Sequence, residues 1–232
     1  QPFFLYLAYN AVHSPLQADD RYFARFAAIP DVHRRIFAAM LAHLDDGVGR
    51  VLAALREAGI EQNTLVVFLS DNGGATRELT SSNAPLRGEK GQFYEGGIRV
   101  PFIVRWPARF PAGKVVTTPV ISLDLTATAL AAGRVSVAAD KLDGRDLTPV
   151  IAGGDDAPRT LYWRAGPRRA IRDGDWKLVR HGGGAQAGAW QLFNLATDVS
   201  ERTDLAAQQP ERVAELAARW EAWSATQAAP LW

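Results

Sequence analysis

Apolar and polar positions change period several times along this chain, and each change marks an element. Leu65-Val66-Val67-Phe68-Leu69 is an unbroken apolar run, too short for an ordinary helix and rich in β-branched and aromatic residues, which predicts a fully buried strand. Pro2 to Tyr9 and Phe102 to Arg105 read as strands too, the latter closed by Trp106-Pro107. From Asp31 to Ala58, residues Ile36, Phe37, Met40, Leu41, Leu44, Val48, Val51, Leu52 and Leu55 recur every three or four positions. That is the stripe of a long amphipathic helix, and Gly59 is its stop. Shorter helices are predicted over Asp20 to Ala28, ending before Pro30, and over Leu123 to Ala132, with Asp124 near its start. His33 and His43 fall on the long helix and read as structural.

Strand, helix and strand in that order from Phe3 to Ser70 predict an α/β fold, a largely parallel sheet flanked by helices. The pattern shifts at Arg159. Four short β-like runs, beginning at Thr160, Arg169, Trp176 and Gln191, are broken by Gly and Asp and predict an antiparallel meander, with Asp173-Gly174 as a hairpin turn. A last helix, Pro210 to about Thr226, places Val213, Leu216, Ala217, Trp220 and Trp223 on one face. The expected division is a first domain over 1–158 and a small antiparallel β subdomain with a terminal helix over 159–232. Trp163, Trp176, Trp190 and Trp220 read as core and domain contacts, not as a ligand cage.

Composition narrows the function classes. The 26 basic and 25 acidic residues nearly cancel, so no global field recruits nucleic acid or an anionic membrane, and any anion must be held locally. No apolar run approaches the roughly 20 residues of a membrane span. With no cysteine in its 232 residues, the chain forms neither disulfides nor thiolate metal sites. QPFFLYLAYN lacks the basic start of a signal peptide. Because the first residue lies one step from an expected core strand, the chain is expected to be a fragment without its amino-terminal portion.

Polarity arrives abruptly after Leu69. Ser70-Asp71-Asn72-Gly73-Gly74 sets a carboxylate beside a carboxamide where a strand ends, and beyond the carboxyl ends of strands is where ligands collect in open α/β sheets. Oxygen donors of this kind suit calcium or magnesium more than zinc. A turn stabilised by Asn and Asp bonding their own backbone is the other use of this pattern. The following loop interleaves Arg87, Glu89, Lys90, Glu95 and Arg99 with Gly88, Gly91, Gly96 and Gly97, while Phe93, Tyr94 and Ile98 anchor it. Its cations would suit sulfate or phosphate oxygens.

SDNGG followed by LRGEKGQFYEGGIRVPFIVRWP resembles the carboxyl half of the catalytic domain of type I sulfatases, members of the alkaline-phosphatase-like superfamily. PFFLYLAYNAVHSPLQ is similar to the family's strand, histidine and following proline, although Val12 stands where the family commonly has proline before the histidine. Asp45 matches a family aspartate in HLDDGVGRVL, expected to fix the helix, and LDGRDLTPVIAGG is similar to the family's LDG segment.

The resemblance implies sulfate ester hydrolysis at a calcium site, with magnesium the alternative. Asp71 and Asn72 would be metal ligands. Lys90 would contact the sulfate, and His13 would sit by the bridging oxygen, so both are candidate catalytic and substrate-binding residues. Arg87 and Glu95 are weaker candidates, with loop-stabilising salt bridges as their other use. The implied nucleophile is a formylglycine made within a C/S-x-P-x-R motif, which does not occur in this sequence. The family's first metal-binding aspartate pair, and its further Lys and His near the nucleophile, also lie upstream of the residues present. The isolated chain is therefore expected to be inactive. The expected partner is a small-molecule or glycan sulfate ester, and family analogy places the protein in the periplasm or outside the cell. The alternatives are a phosphonate or phosphate ester hydrolase of the same superfamily, or a non-catalytic fragment.

Overall fold

The computed structural model describes residues 1–138, 141–154, 157–182 and 188–229. Its first elements form a helical hairpin, α1 (Asp20–Arg25) and α2 (Val32–Glu57). Each helix starts where an aspartate can cap it: Asp19 accepts from the Arg21 amide at 3.0 Å and Asp31 from the Arg34 amide at 2.6 Å. α2 ends ahead of Gly59, which takes the left-handed conformation at φ +68°. Tyr22 binds the hairpin together by donating its hydroxyl to Asp46 at 2.7 Å and stacking on His43 at 4.3 Å. Asp46, next to the predicted Asp45, thus makes the helix-fixing contact.

Strand β1 (Val66–Leu69) leads into the polar turn, and the short helices α3 (Thr76–Leu79) and α4 (Glu95–Ile98) lie within the long loop before β2 (Phe102–Arg105). The expected parallel sheet is not what forms. β1 and β2 pair antiparallel, with Val66 opposite Arg105 and Leu69 opposite Phe102, and among the described residues there is no parallel sheet. A parallel pair needs a crossover that carries the chain back to the same end. Here residues 70–101 instead continue the antiparallel zip: the Ser70 amide donates to the Pro101 carbonyl at 3.3 Å and the Gly73 amide to Gly97 at 3.0 Å. Pro2 to Tyr9, the expected first strand, joins no ladder. It has no regular secondary structure, and Phe4 and Tyr6 are each 82% exposed. Nor is the two-stranded sheet buried on both faces, since Phe68 and Ile103 are exposed.

Beyond β2 come α5 (Asp124–Ala132) and α6 (Thr148–Ala152). The fully buried Asp124 carboxylate joins three segments here. It accepts from the Ile121 amide at 2.9 Å, the Arg145 amide at 3.0 Å and the Arg159 guanidinium at 2.8 Å.

The meander and terminal helix form as expected. β3 (Thr160–Ala165), β4 (Arg168–Asp173), β5 (Trp176–Arg180) and β6 (Gln191–Asn194) make an antiparallel sheet in sequential order, followed by α7 (Pro210–Ala225). Period-two alternation sorts its side chains. Ile171, Leu178 and Leu192 pack with Leu216 and Trp220 of α7. Ala170, Val179 and Phe193 face the other way and pack with Tyr94 of the loop before β2. Trp220 lies in the α7-side core, with Trp176 and Trp190 packed against it, whereas Trp163 packs against the loop-side cluster.

Candidate active site

His13 and Lys90 lie 77 positions apart and meet in space: Lys90 Nζ is 2.7 Å from His13 Nε2. An ammonium is a donor only, so Nε2 accepts and the imidazole proton sits on Nδ1, where it is donated to the Ser14 carbonyl at 2.7 Å. Two of the three ammonium hydrogens remain available, and both side chains are solvent-exposed. Beside them the Ser14 hydroxyl donates to Glu78.

The polar turn after β1 lies next to this pair. The Lys90 amide donates to the Gly74 carbonyl at 3.3 Å. Asn83 clasps the same glycine, accepting from its amide at 3.0 Å while donating to the carbonyls of Gly74 at 2.9 Å and Gly88 at 3.0 Å. Asn83 was not singled out from sequence; an amide side chain just ahead of a proline was its only signal. Glu89 fastens the loop further, accepting from the Thr76 hydroxyl at 2.7 Å and the Arg77 amide at 3.1 Å, bonds that hold its carboxyl below the usual range. The glycines are needed for the close approach of chain to chain. A Cβ on Gly73 would lie 1.8 Å from the Gly96 carbonyl oxygen, and one on Gly97 would lie 2.1 Å from that of Gln92.

Asp71 and Asn72 partly fulfil the backbone-bonding alternative. The Asn72 amide donates to Asp71 Oδ1 at 3.0 Å, and the Asn72 side-chain nitrogen donates to the Gly73 carbonyl at 3.0 Å. These bonds use the carboxamide nitrogen and one carboxylate oxygen. The carboxamide oxygen and the second carboxylate oxygen are left as donors that fit a hard cation. Among the described residues no three of His, Asp and Glu gather as a metal group.

The weaker candidates have structural contacts. The Arg87 guanidinium sits 4.0 Å from the Tyr94 ring centroid and donates to the Glu201 carbonyl at 2.9 Å. Glu95 is buried, 2.8 Å from Lys177 Nζ.

Chemically, these groups offer an ammonium for an oxyanion with an imidazole beside it, and two free oxygens on the neighbouring turn that suit a cation. Comparison with known proteins gives the family. The Sulfatase family model matches residues 1–135, and the model described as N-sulphoglucosamine sulphohydrolase, C-terminal, matches residues 88–223. The chain belongs to the sulfatase family. It is 33% identical to arylsulfatase J of Mus musculus over 94% of this chain and 44% of the mouse protein. With steryl-sulfatase of Mus musculus it shares 38% identity over 70% of this chain and 26% of that protein. Among solved structures, Ps i-CgsB in complex with k-i-k-neocarrahexaose superposes with a TM-score of 0.88 at 37% identity, covering all of this chain and 52% of the other. The chain thus spans about half the length of these relatives or less. No helix among the described residues is long and apolar enough to cross a membrane.

Proposed function

We propose that this chain carries the leaving-group side and part of the metal shell of a sulfate ester hydrolase, with a sulfated glycan as substrate. The observation that carries the proposal is the 2.7 Å contact of Lys90 with His13, beside a turn whose Asp71 and Asn72 keep two oxygens for a cation. Family membership supports the chemistry, and the oligosaccharide named in the complex of the superposing structure supports the glycan.

In this mechanism Lys90 directs its two remaining N–H groups at sulfate oxygens and offsets the charge that grows as the S–O bond breaks. His13 lies within a hydrogen bond of the same ammonium, so a proton shared along that contact can be handed to the leaving alkoxide. Asp71 Oδ2 and Asn72 Oδ1 would hold calcium, which when bound supplies charge stabilisation at a sulfate oxygen. The nucleophile, a formylglycine by family analogy, comes from outside these 232 residues. The same analogy supports a periplasmic or extracellular location.

The test has two arms. Calorimetry on a polypeptide joining this chain to a segment that carries the family's other metal-binding aspartates should show calcium binding that Asp71→Ala weakens. In a polypeptide joining this chain to a nucleophile-bearing segment, an aryl sulfate should be hydrolysed in preference to an aryl phosphate diester. Lys90→Ala should lower that turnover by about 10²-fold or more. Wild-type turnover in Lys90→Ala, or preference for the phosphate diester, sinks the proposal.

A further inference from the structure

The loop that brings Lys90 to His13 rests on a group of buried charges. Lys177 of β5 is fully buried, and its Nζ lies 2.8 Å from Glu95 Oε1 and 2.9 Å from Glu201 Oε1. Glu201 is also fully buried, and its Oε2 accepts from the Glu95 backbone amide at 2.6 Å. Arg99 and Arg172 approach the other oxygen of Glu95 at 3.6 and 3.7 Å. Burial pushes the Glu201 carboxyl upward, an effect that the Lys177 ammonium opposes. Glu201 takes a left-handed backbone at φ +52°, a conformation costly for any residue with a Cβ. Glycine would adopt it freely, so the carboxylate is what the position requires.

This group does more than fill a core. Glu95 opens the turn whose Gly97 carbonyl accepts from the Gly73 amide at 3.0 Å, one residue after Asn72. The Gly96 amide donates to the Arg87 carbonyl at 2.7 Å, which fixes the start of the Lys90 loop. A second tie comes from the same sheet: Arg168 of β4 donates to the carbonyl of Gly91, next to Lys90. Burying three charges is expensive, and an apolar trio of similar size would hold a core at least as well. What the ions add is direction. Two carboxylates from separate segments must converge on one ammonium, which fixes the loop against the sheet in a single register.

We infer that Lys177, clamped between Glu95 and Glu201, is a positioning residue that sets the Lys90 loop and the Asp71–Asn72 turn, making the carboxyl-terminal sheet part of the apparatus around His13. Lys177, fully buried, touches no substrate itself. Its relevance to catalysis rests on the hydrolase proposal, but the placement itself does not.

The test uses the 232-residue chain and the imidazole carbon–proton NMR signals of its four histidines. Lys90→Ala defines where the His13 signals lie when the contact is lost. Lys177→Met and Glu201→Gln, studied well below their thermal transitions, should move His13 toward that position. His33 and His43 on α2 should stay put. Lys177→Arg should restore part of the wild-type spectrum, and in a Lys90→Ala background Lys177→Met should move His13 no further. Either variant folded with His13 unmoved overturns the inference. So does loss of the fold in both, which would make Lys177 a support of the whole molecule and not of the loop. Because the readout is a spectrum, failure of the joined polypeptide to bind calcium or to hydrolyse a sulfate ester would remove the hydrolase proposal and leave this result standing.

Discussion

Replacing Asp124 by alanine is the sharpest stability test the structure offers. The carboxylate is fully buried and serves three donors at 2.8–3.0 Å: the Arg159 guanidinium, the Arg145 amide and the nearby Ile121 amide. Arg159, whose side chain is only 16% exposed, would keep its charge and lose its counter-ion. Breaking a buried pair from one side costs about 3–5 kcal/mol, and an amide left without an acceptor costs about 1–3 kcal/mol more where water does not reach it. These costs overlap, so about 4–6 kcal/mol is the working figure for Asp124→Ala. Asp124→Asn keeps the volume and one acceptor oxygen, and should cost about half as much. For a chain of 232 residues, each kcal/mol moves Tm by roughly 2–4 °C, so the alanine variant should melt about 10–20 °C lower. Urea unfolding followed by circular dichroism measures this directly. The midpoint should fall at constant slope, showing that stability has changed and not the surface exposed on unfolding. An alanine variant within about 1 kcal/mol of wild type would refute the reasoning, because Arg159 and both amides would then have found other partners.

Two further outcomes are expected. The His181 ring is half-buried 4.4 Å from Tyr94; burial first, then Arg168, Lys177 and Arg87, lowers its pKa from 6.5 to about 4. Between those values the unfolded chain takes up the proton first, so stability that is complete above pH 6.5 should drain away as pH falls toward 4. Discounted for partial exposure, the loss is about 1–2 kcal/mol between pH 7 and 4.5, and His181→Asn should flatten it; urea midpoints equally steep in pH for both chains would contradict this. Trp220, 2% exposed, packs on Ile171, Leu178, Leu192 and Leu216 and donates its indole N–H to the Trp163 carbonyl at 3.1 Å. Trp220→Ala should cost about 3–5 kcal/mol in the same assay, and a loss below 1 kcal/mol would mean that α7 adds little to the sheet.

Local patterns in the sequence carried most of the elements. α2 follows from its three-and-four spacing, and the β4–β5 hairpin from Asp173-Gly174, whose glycine takes φ +56°. Such signals are satisfied within or just beyond the element itself. Pairing is different, since a run such as PFFLYLAY specifies extended chain but not its partner. That is why an expected parallel strand is unpaired, and why β1 and β2 run antiparallel. The meeting of His13 and Lys90 was likewise illegible from spacing, because nothing local encodes a contact across 77 positions; only a resemblance over several motifs suggested it.

Lys177 shows both the limit and a way past it. In Trp176-Lys177-Leu178-Val179-Arg180 a lone lysine reads as a solvated position on an otherwise apolar strand. Yet Lys177 has the parity of Val179, which faces the loop, whereas Leu178 faces α7. A strand covered on both sides leaves no wet face, so an ammonium in its middle must be met by carboxylates from whatever covers it. The loop supplies Glu95, and the segment after β6 supplies Glu201. Had the two-sided covering been recognised from the apolar residues at 170, 171, 178, 179, 192 and 193, the pairing of Lys177 with a glutamate of GEKGQFYEGG would have followed from charge alone.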